Sequence, residues 1–227
     1  MSKTVQIAID GPAGAGKSTI SKLLAKELGY VYIDTGAMYR AVGLKVLRCG
    51  YSSKDAEAAE QVLKTLDIDI RPSAGAQKVF LDGEDVSELI RTPEVSIAAS
   101  DVSAIPAVRL AMVELQRNLA ASRNVIMDGR DIGTYVLPNA DIKIFLTASP
   151  EDRALRRYRE LIEKNVKADY DEVLNDMLYR DKNDSTRAMA PLCAAPDADI
   201  IDTTGNALEK SVEILREHIE TRLKNVL

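Results

Sequence analysis

An α/β fold, with a parallel sheet covered by helices on both faces, is what this 227-residue sequence predicts. Three observations carry that expectation. Short apolar runs at 5–10, 31–34, 125–128, 142–146 and 200–202 alternate with helical patterns. The first run opens into a glycine-rich loop that leads directly into an amphipathic stretch. The polar motifs singled out below as core sites follow the ends of such runs, where parallel sheets bind ligands.

Val5-Gln6-Ile7-Ala8-Ile9-Asp10 reads as a short buried strand, and residues 18–28 as a helix with one apolar face. Between them stands Gly11-Pro12-Ala13-Gly14-Ala15-Gly16-Lys17-Ser18, which has the G-x-x-x-x-G-K-S spacing of a phosphate-binding loop. Glycines let the backbone turn tightly and approach phosphates closely. Successive N–H groups then form an anion nest, and the following helix offers a positive dipole end. Lys17 adds a mobile positive charge, and the Ser18 hydroxyl is a hard oxygen ligand suited to Mg²⁺. With Thr19, this run is the expected nucleotide-binding loop.

Asp34-Thr35-Gly36-Ala37-Met38-Tyr39-Arg40 follows the second run. Gly36 suits a backbone turn close to a ligand, and Arg40 lies about one turn into a helix. Arginine is the natural fork for a phosphate. The rhythm then breaks. From about Ile68 to Val86 the residues alternate, and Asp82-Gly83 supplies the two positive-φ positions of a tight hairpin, so a small antiparallel insertion is expected. A helix follows with Thr92 as cap and Pro93 in its first position, and another runs from Pro106 towards Ser122.

Asp128-Gly129-Arg130-Asp131 follows the third run and pairs a phosphate fork with an acceptor. Ser149-Pro150-Glu151-Asp152 starts a helix on which Arg153, Arg156 and Arg157 share one face. A second helix, from about Asp169 with Glu172 three residues on, leads to Arg180, and Asp184-Ser185-Thr186-Arg187 reads as loop. This pair reads either as a lid that carries arginines over a bound nucleotide or as a solvated charged face. The last run leads to a structural helix from about Asn206, with Glu209 as capping partner. The expected organisation is a core of 1–67, 105–149 and 188–227, an insertion at 68–104 and a lid region at 150–187.

Composition sets the outer bounds. With 46% hydrophobic and 29% charged residues, the chain has the make-up of a globular protein. A net charge of −5 argues against binding polymeric nucleic acid, which needs a basic footprint. No apolar run reaches the length of a membrane-spanning helix, and the first residues lack a signal-peptide pattern, so a cytoplasmic location without membrane attachment is expected. Cys49 and Cys193 have no metal or redox spacing and are expected as free, buried thiols. The single His218, without another His or Cys beside it, is expected at the surface.

A phosphate-binding loop alone does not separate kinases from switches or motors. The residues outline two anion sites, one for a donor triphosphate at the loop and one built from Arg40, Arg130 and lid arginines for an acceptor monophosphate. At that point the sequence resembles the bacterial cytidylate kinase family of nucleoside-monophosphate kinases. The resemblance rests on 9–18, 34–40, 90–95, Asp128-Gly129-Arg130-Asp131-Ile132-Gly133-Thr134 and Arg180-Asp181-Lys182-Asn183-Asp184-Ser185-Thr186-Arg187, in the family's order over most of the chain. It implies a five-stranded parallel core, a monophosphate-binding insertion, a lid, and transfer of the γ-phosphoryl of ATP to CMP or dCMP, with Mg²⁺, by a monomer.

Carried over by position, Arg40, Arg130 and Arg187 would hold the acceptor phosphate, while Arg180 and Asp184 would contact the sugar. Ser100, Arg109 and Asp131 would face cytosine, with Thr35 among the substrate groups where many relatives have Ser. Lys17, Arg153 and Arg157 would stabilise the transferring charge. Cytosine carries an N4 donor that Asp131 would accept, and O2 and N3 acceptors for Arg109. Read without the family, Ser100 and Arg109 are merely polar residues on predicted helices. Two other readings compete. A kinase of another acceptor (UMP, AMP or shikimate) is disfavoured by the 68–104 insertion, Asp131 and Arg109. A nucleotide-dependent switch or binding module leaves the second arginine set unexplained.

Overall fold

Alternation along the central strands decides the layering. The computed structural model describes residues 4–73 and 76–226. Residues 1–3 and 227 of the expected core and 74–75 of the expected insertion lie outside the described residues. In β1 (Gln6–Asp10), Ile7 and Ile9 face one core, while Ala8 faces the other. The first core is closed by α1 (Lys17–Leu28) and α8 (Leu208–Val226) through Ile20, Leu24, Leu215 and Ile219. The second holds Ile33 of β2 (Val31–Asp34), Met127 of β6 (Val125–Gly129) and Val113 of α5 (Pro106–Ala120).

The parallel sheet is completed by β7 (Ile142–Thr147) and β8 (Asp199–Asp202), in the order β2-β6-β1-β7-β8. Five strands are present, as the family resemblance implies. β1 is the central strand, so the crevice at its carboxyl end receives loops from both sides.

The expected antiparallel insertion is a three-stranded sheet of β3 (Ile68–Ser73), β4 (Ala76–Leu81) and β5 (Glu84–Asp85). Asp82 and Gly83 turn between β4 and β5 with φ of 51° and 86°, the two positive values the Asp-Gly pair foretold. Val79, Leu81, Val86 and Ile90 pack on Ala37 and Ala41 of α2 (Thr35–Arg48). α3 (Ala56–Leu63) is capped by Asp55, whose side chain accepts from Ala58 N at 3.0 Å. α4 (Pro93–Ser103) has the expected cap, with Thr92 accepting from Val95 N at 3.2 Å.

α6 (Pro150–Glu163) starts on Ser149, which accepts from Asp152 N at 3.2 Å. α7 (Tyr170–Thr186) corrects one expectation: Asp184, Ser185 and Thr186 are helical, not loop. Ser185 and Thr186 turn their hydroxyls back onto the carbonyls of Asp181 and Lys182, each at 2.7 Å, and so compete less with the helix than their residue type suggests. Gly36 is likewise inside the first turn of α2, because Asp34 caps that helix by accepting from Ala37 N at 2.8 Å. Both cysteines are free as expected, but both are exposed rather than buried. Among the described residues no single helix is long and apolar enough to cross a membrane.

Two features of β1 fix the crevice. A Cβ on Gly11, whose φ is 147°, would sit 1.9 Å from the carbonyl oxygen of Leu146, so only glycine fits between β1 and β7 there. Asp10, 4% exposed, accepts from the backbone N–H of Ile132 and Gly133, both at 2.7 Å, and anchors the turn after β6 (a π-helical turn at Ile132–Val136). Burial pushes the Asp10 carboxyl up to about 7 despite those two donors.

Gly11→Ala is therefore expected to lower stability by about 3 kcal/mol or more, read as an earlier urea midpoint. The Asp10 carboxyl titrates near 4 when unfolded and about 7 when folded, so between those values the folded state holds the extra proton. Wild-type unfolding free energy should then fall, relative to Asp10→Asn, by on the order of a few kcal/mol as pH rises from about 4 to about 7. Urea titrations of both proteins across that range check the slope.

Candidate active site

The loop after β1 closes on its own backbone. Lys17 is 5% exposed and donates to the carbonyl of Pro12 at 2.7 Å. Its ammonium is held well below the ordinary lysine range, first by burial and then by the Arg130 charge. Gly14, Ser18 and Thr19 face outward, while Gly11, Pro12, Ala13 and Ala15 are buried. Ser18 donates to Asp128 Oδ2 at 2.8 Å, and Tyr32 donates to Asp128 Oδ1 at the same distance. Burial, then the Asp34 charge, raises the Asp128 carboxyl to about 6, leaving it mostly ionised at neutral pH. An apolar strand ending in this acid beside the loop hydroxyl gives an adjacent pair of hard oxygens at the loop's mouth.

The residues expected to form a second anion site are a set of arginines held by carboxylates. Arg40 donates to Asp34 at 2.9 Å, one α-helical turn from the cap that Asp34 also makes. Arg130 donates to Asp184 at 2.7 Å. Burial works against the Arg130 charge, and Asp184 with Asp128 and Asp181 together more than offsets it. Arg187 donates to Asp131 at 3.0 Å and lies 3.8 Å from Asp184. Arg109, with no exposed surface, donates to the other oxygen of Asp131 and to the carbonyl of Ser103 at 3.3 Å. Burial raises the Asp131 carboxyl even against these two guanidiniums.

Arg180 stands apart. It makes no hydrogen bond or ion pair among the described residues, and its buried Nε has no partner. Burial, then the Arg130 charge, pulls its pKa down to about 10 against the opposing charge of Asp184, so it stays charged at neutral pH. Asp184 offsets only part of the repulsion from the neighbouring guanidiniums, and an added anion would offset more.

The lid arginines point three ways, not one. Arg153 is 3% exposed and spends every guanidinium nitrogen on protein: the carbonyls of Ala148 and Ala13, at 2.9 and 2.8 Å, and Asp181 at 2.6 Å. Arg156 reaches the carbonyl of Thr203 at 2.7 Å, in the loop after β8. Arg157 pairs with Glu160 at 2.8 Å. The solvated-face alternative therefore fails for Arg153. A Cβ on Gly14 would meet Met177 Cε at 2.8 Å and Arg153 Cβ at 3.2 Å, so α6 and α7 sit directly on the phosphate loop.

Ser100 and Arg109, which read by residue type as merely polar helix positions, are both buried. The structure brings Arg109, Asp131 and Arg187 together, and brings Arg130, Arg180 and Asp184 together. Thr35 is 3% exposed and its hydroxyl donates to the carbonyl of Asp128 at 2.7 Å, so it braces the end of β6. Asp10, Tyr32, Asp34, Asp181 and Asn183 are participants that sequence reasoning missed. Asp10 and Asp34 had a readable signal, as acids ending apolar runs just before a motif. Tyr32, Asp181 and Asn183 had none, because their partners lie more than 25 positions away.

Comparison with known proteins places these features in one lineage. The family model described as cytidylate kinase matches residues 7–221. A cytidylate kinase from Caldicellulosiruptor saccharolyticus is 57% identical over 218 residues, covering 96% of this chain and 95% of that protein. One from Exiguobacterium sp. is 49% identical, covering 97% and 98%. A solved structure of an uncharacterized protein from Eubacterium ventriosum aligns with a TM-score of 0.51 at 15% identity, over 96% of this chain and 99% of that one, and speaks to the fold alone. With a family model spanning nearly all of it and relatives 49% and 57% identical over nearly its whole length, this chain belongs to the cytidylate kinase family.

Proposed function

We propose that the protein transfers the γ-phosphoryl group of ATP to CMP or dCMP, giving ADP and CDP or dCDP. Family membership supports the kinase reading and ATP as donor. The observation that carries the acceptor site is Arg180, a charged guanidinium that no carboxylate hydrogen-bonds and whose charge meets those of Arg130, Arg40 and Arg157 as well as that of Asp184. A nucleoside monophosphate supplies further negative charge. Arg130 acts on both Lys17 and Arg180, so donor and acceptor sites share one cationic wall, as in-line transfer requires.

In this reading Gly11 to Thr19 cradle the ATP phosphates and Lys17 leaves the Pro12 carbonyl for the transferring group. Arg40, Arg130 and Arg187 hold the acceptor phosphate, with Arg180 and Asp184 at the sugar. Arg157 swings from Glu160 to the developing charge, and Arg153 keeps the loop backbone in place. Ser18 and Asp128 fit Mg²⁺, being adjacent hard oxygens at the mouth of the loop. When bound, that ion neutralises charge on the β- and γ-phosphates. No cluster of three or more metal-ligating residues exists among the described residues, which suits an ion that keeps waters and phosphate oxygens. Asp131 is oriented by Arg109 and Arg187, and each of its oxygens keeps a second lone pair for the cytosine N4 donor. Insertion 68–104 serves as the acceptor-binding part and 150–187 as the lid. A cytoplasmic, monomeric enzyme acting on small nucleotides completes the reading.

Initial rates of ADP formation from Mg·ATP, with CMP, dCMP, UMP, AMP, GMP and shikimate supplied in turn, test it. Turnover confined largely to CMP and dCMP is the expected result, and turnover with another acceptor overturns the base assignment. Arg180→Met is expected to raise the CMP KM by about tenfold or more while leaving the ATP KM within a few-fold. The same substitution should leave the thermal midpoint unchanged or raise it, because it deletes a partly buried charge that burial and the neighbouring guanidiniums disfavour more than Asp184 supports it.

A further inference from the structure

Strand alternation brings a tyrosine to the back of the phosphate loop. β2 and β6 run parallel, with Tyr32 opposite Ile126 and Asp34 opposite Asp128. Ile126 belongs to the core closed by α1 and α8, and Tyr32 packs against that same core. Asp128 stands two residues after Ile126, so it projects on the same face of the sheet. Side chains in strands lean along the strand, and the long tyrosine spans the gap: its hydroxyl reaches Asp128 Oδ1 at 2.8 Å. Ser18, in the first turn of α1, meets the other oxygen of that carboxylate at the same distance.

The hydrogens in this trio have fixed places. An ionised carboxylate only accepts, so the Tyr32 hydroxyl donates its single hydrogen to Asp128. The phenol oxygen is then an acceptor, and it stands within hydrogen-bonding reach of the Ser18 hydroxyl. On its inner side Ser18 therefore meets two acceptors, Asp128 Oδ2 and the Tyr32 oxygen. Its hydrogen is drawn inward. The lone pairs of its oxygen are left for the mouth of the loop, where Ser18 is exposed. Without the Tyr32 hydroxyl, Asp128 loses the donor that fixes its plane, and the Ser18 hydroxyl loses its fixed rotation with it.

We propose that Tyr32 is a positioning residue for phosphoryl transfer: through Asp128 it holds the Ser18 hydroxyl with its lone pairs outward, ready to ligate Mg²⁺. The proposal rests on the reading of Ser18 and Asp128 as the oxygens that fit that ion. Groups one hydrogen bond behind a metal site orient its ligands, and losing one typically weakens metal binding by about 10–100-fold. The tyrosine divides its duties, with the ring spent on the core and the hydroxyl on the carboxylate. Phenylalanine keeps the first and deletes only the second, so Tyr32→Phe isolates the proposed role.

The test is Mn²⁺ binding, followed by the electron paramagnetic resonance of the free ion, to protein saturated with the β,γ-imido analogue of ATP. Wild type, Tyr32→Phe, Ser18→Ala and the double variant are compared. Tyr32→Phe should weaken Mn²⁺ binding by about tenfold and raise the Mg²⁺ concentration for half-maximal turnover in step, while affinity for the analogue in excess EDTA stays within about twofold. With Ser18→Ala already present, Tyr32→Phe should weaken Mn²⁺ binding by no more than about twofold, because the hydroxyl it orients is gone. Three results overturn the proposal while the metal reading stands, provided Ser18→Ala alone weakens Mn²⁺ binding. These are unchanged Mn²⁺ affinity in Tyr32→Phe, an equal loss of affinity for the metal-free analogue, and a loss as large without the Ser18 hydroxyl as with it. Undiminished Mn²⁺ binding in Ser18→Ala overturns the metal reading and this proposal with it.

Discussion

Carboxylates that hold arginines in place are the constraint on which the site depends. Asp34, Asp131, Asp181 and Asp184 each fix at least one guanidinium, and Asp131 fixes two. A guanidinium on a long side chain has many rotamers, and ordering it when substrate arrives would oppose binding. Here the ordering is completed during folding, so the charge is aimed before any phosphate enters. Removing one partner of a buried pair of this kind costs about 3–5 kcal/mol, so neither member is free to vary alone. Arg180 is the exception: no carboxylate hydrogen-bonds it, and only the charge of Asp184 opposes those of the guanidiniums around it.

These carboxylates come from strand ends and helices rather than from free loops. Asp34 ends β2, Asp131 follows β6, and Asp181 and Asp184 belong to α7. β1 lies between β6 and β7, so the turn that Asp10 anchors and the loop that begins at Gly11 are held by the best-buried part of the sheet. Arg153 ties α6 to the phosphate loop through the carbonyl of Ala13 and to α7 through Asp181. The loop after β1, α6 and α7 are thus joined by hydrogen bonds of a single guanidinium.

Much of this was legible in the residues. The apolar runs marked all five strands: β1, β6 and β7 because burial on both faces leaves a near-continuous apolar text, and the edge strands β2 and β8 by short runs of the same kind. The phosphate loop declared itself by spacing, and Asp82-Gly83 declared its hairpin by the backbone angles it favours. Caps at Thr92, Ser149 and Asp169 were readable because capping is a matter of three neighbouring residues. What stayed hidden was long-range. Arg109 and Ser100 are buried because α4, α5 and α7 converge on them, and no local pattern encodes that convergence. The three-way divergence of Arg153, Arg156 and Arg157 was hidden for the same reason: their spacing fixes a helix face, while the neighbours of that face decide where each fork points. Asp184 to Thr186 looked like loop because short polar residues favour turns until a tertiary partner, here Arg130, holds them in a helix.

α7 has a consequence for how such a protein diversifies. Tyr179, Arg180, Asn183, Asp184 and Arg187 are drawn from little more than two turns at the end of one helix. Inserting or deleting a single residue upstream within that helix would rotate all of them together by about 100°. These side chains therefore keep their aim only as one block: a change of length that spares them belongs in the polar connection before Tyr170, and a change within the helix has to be a substitution in place.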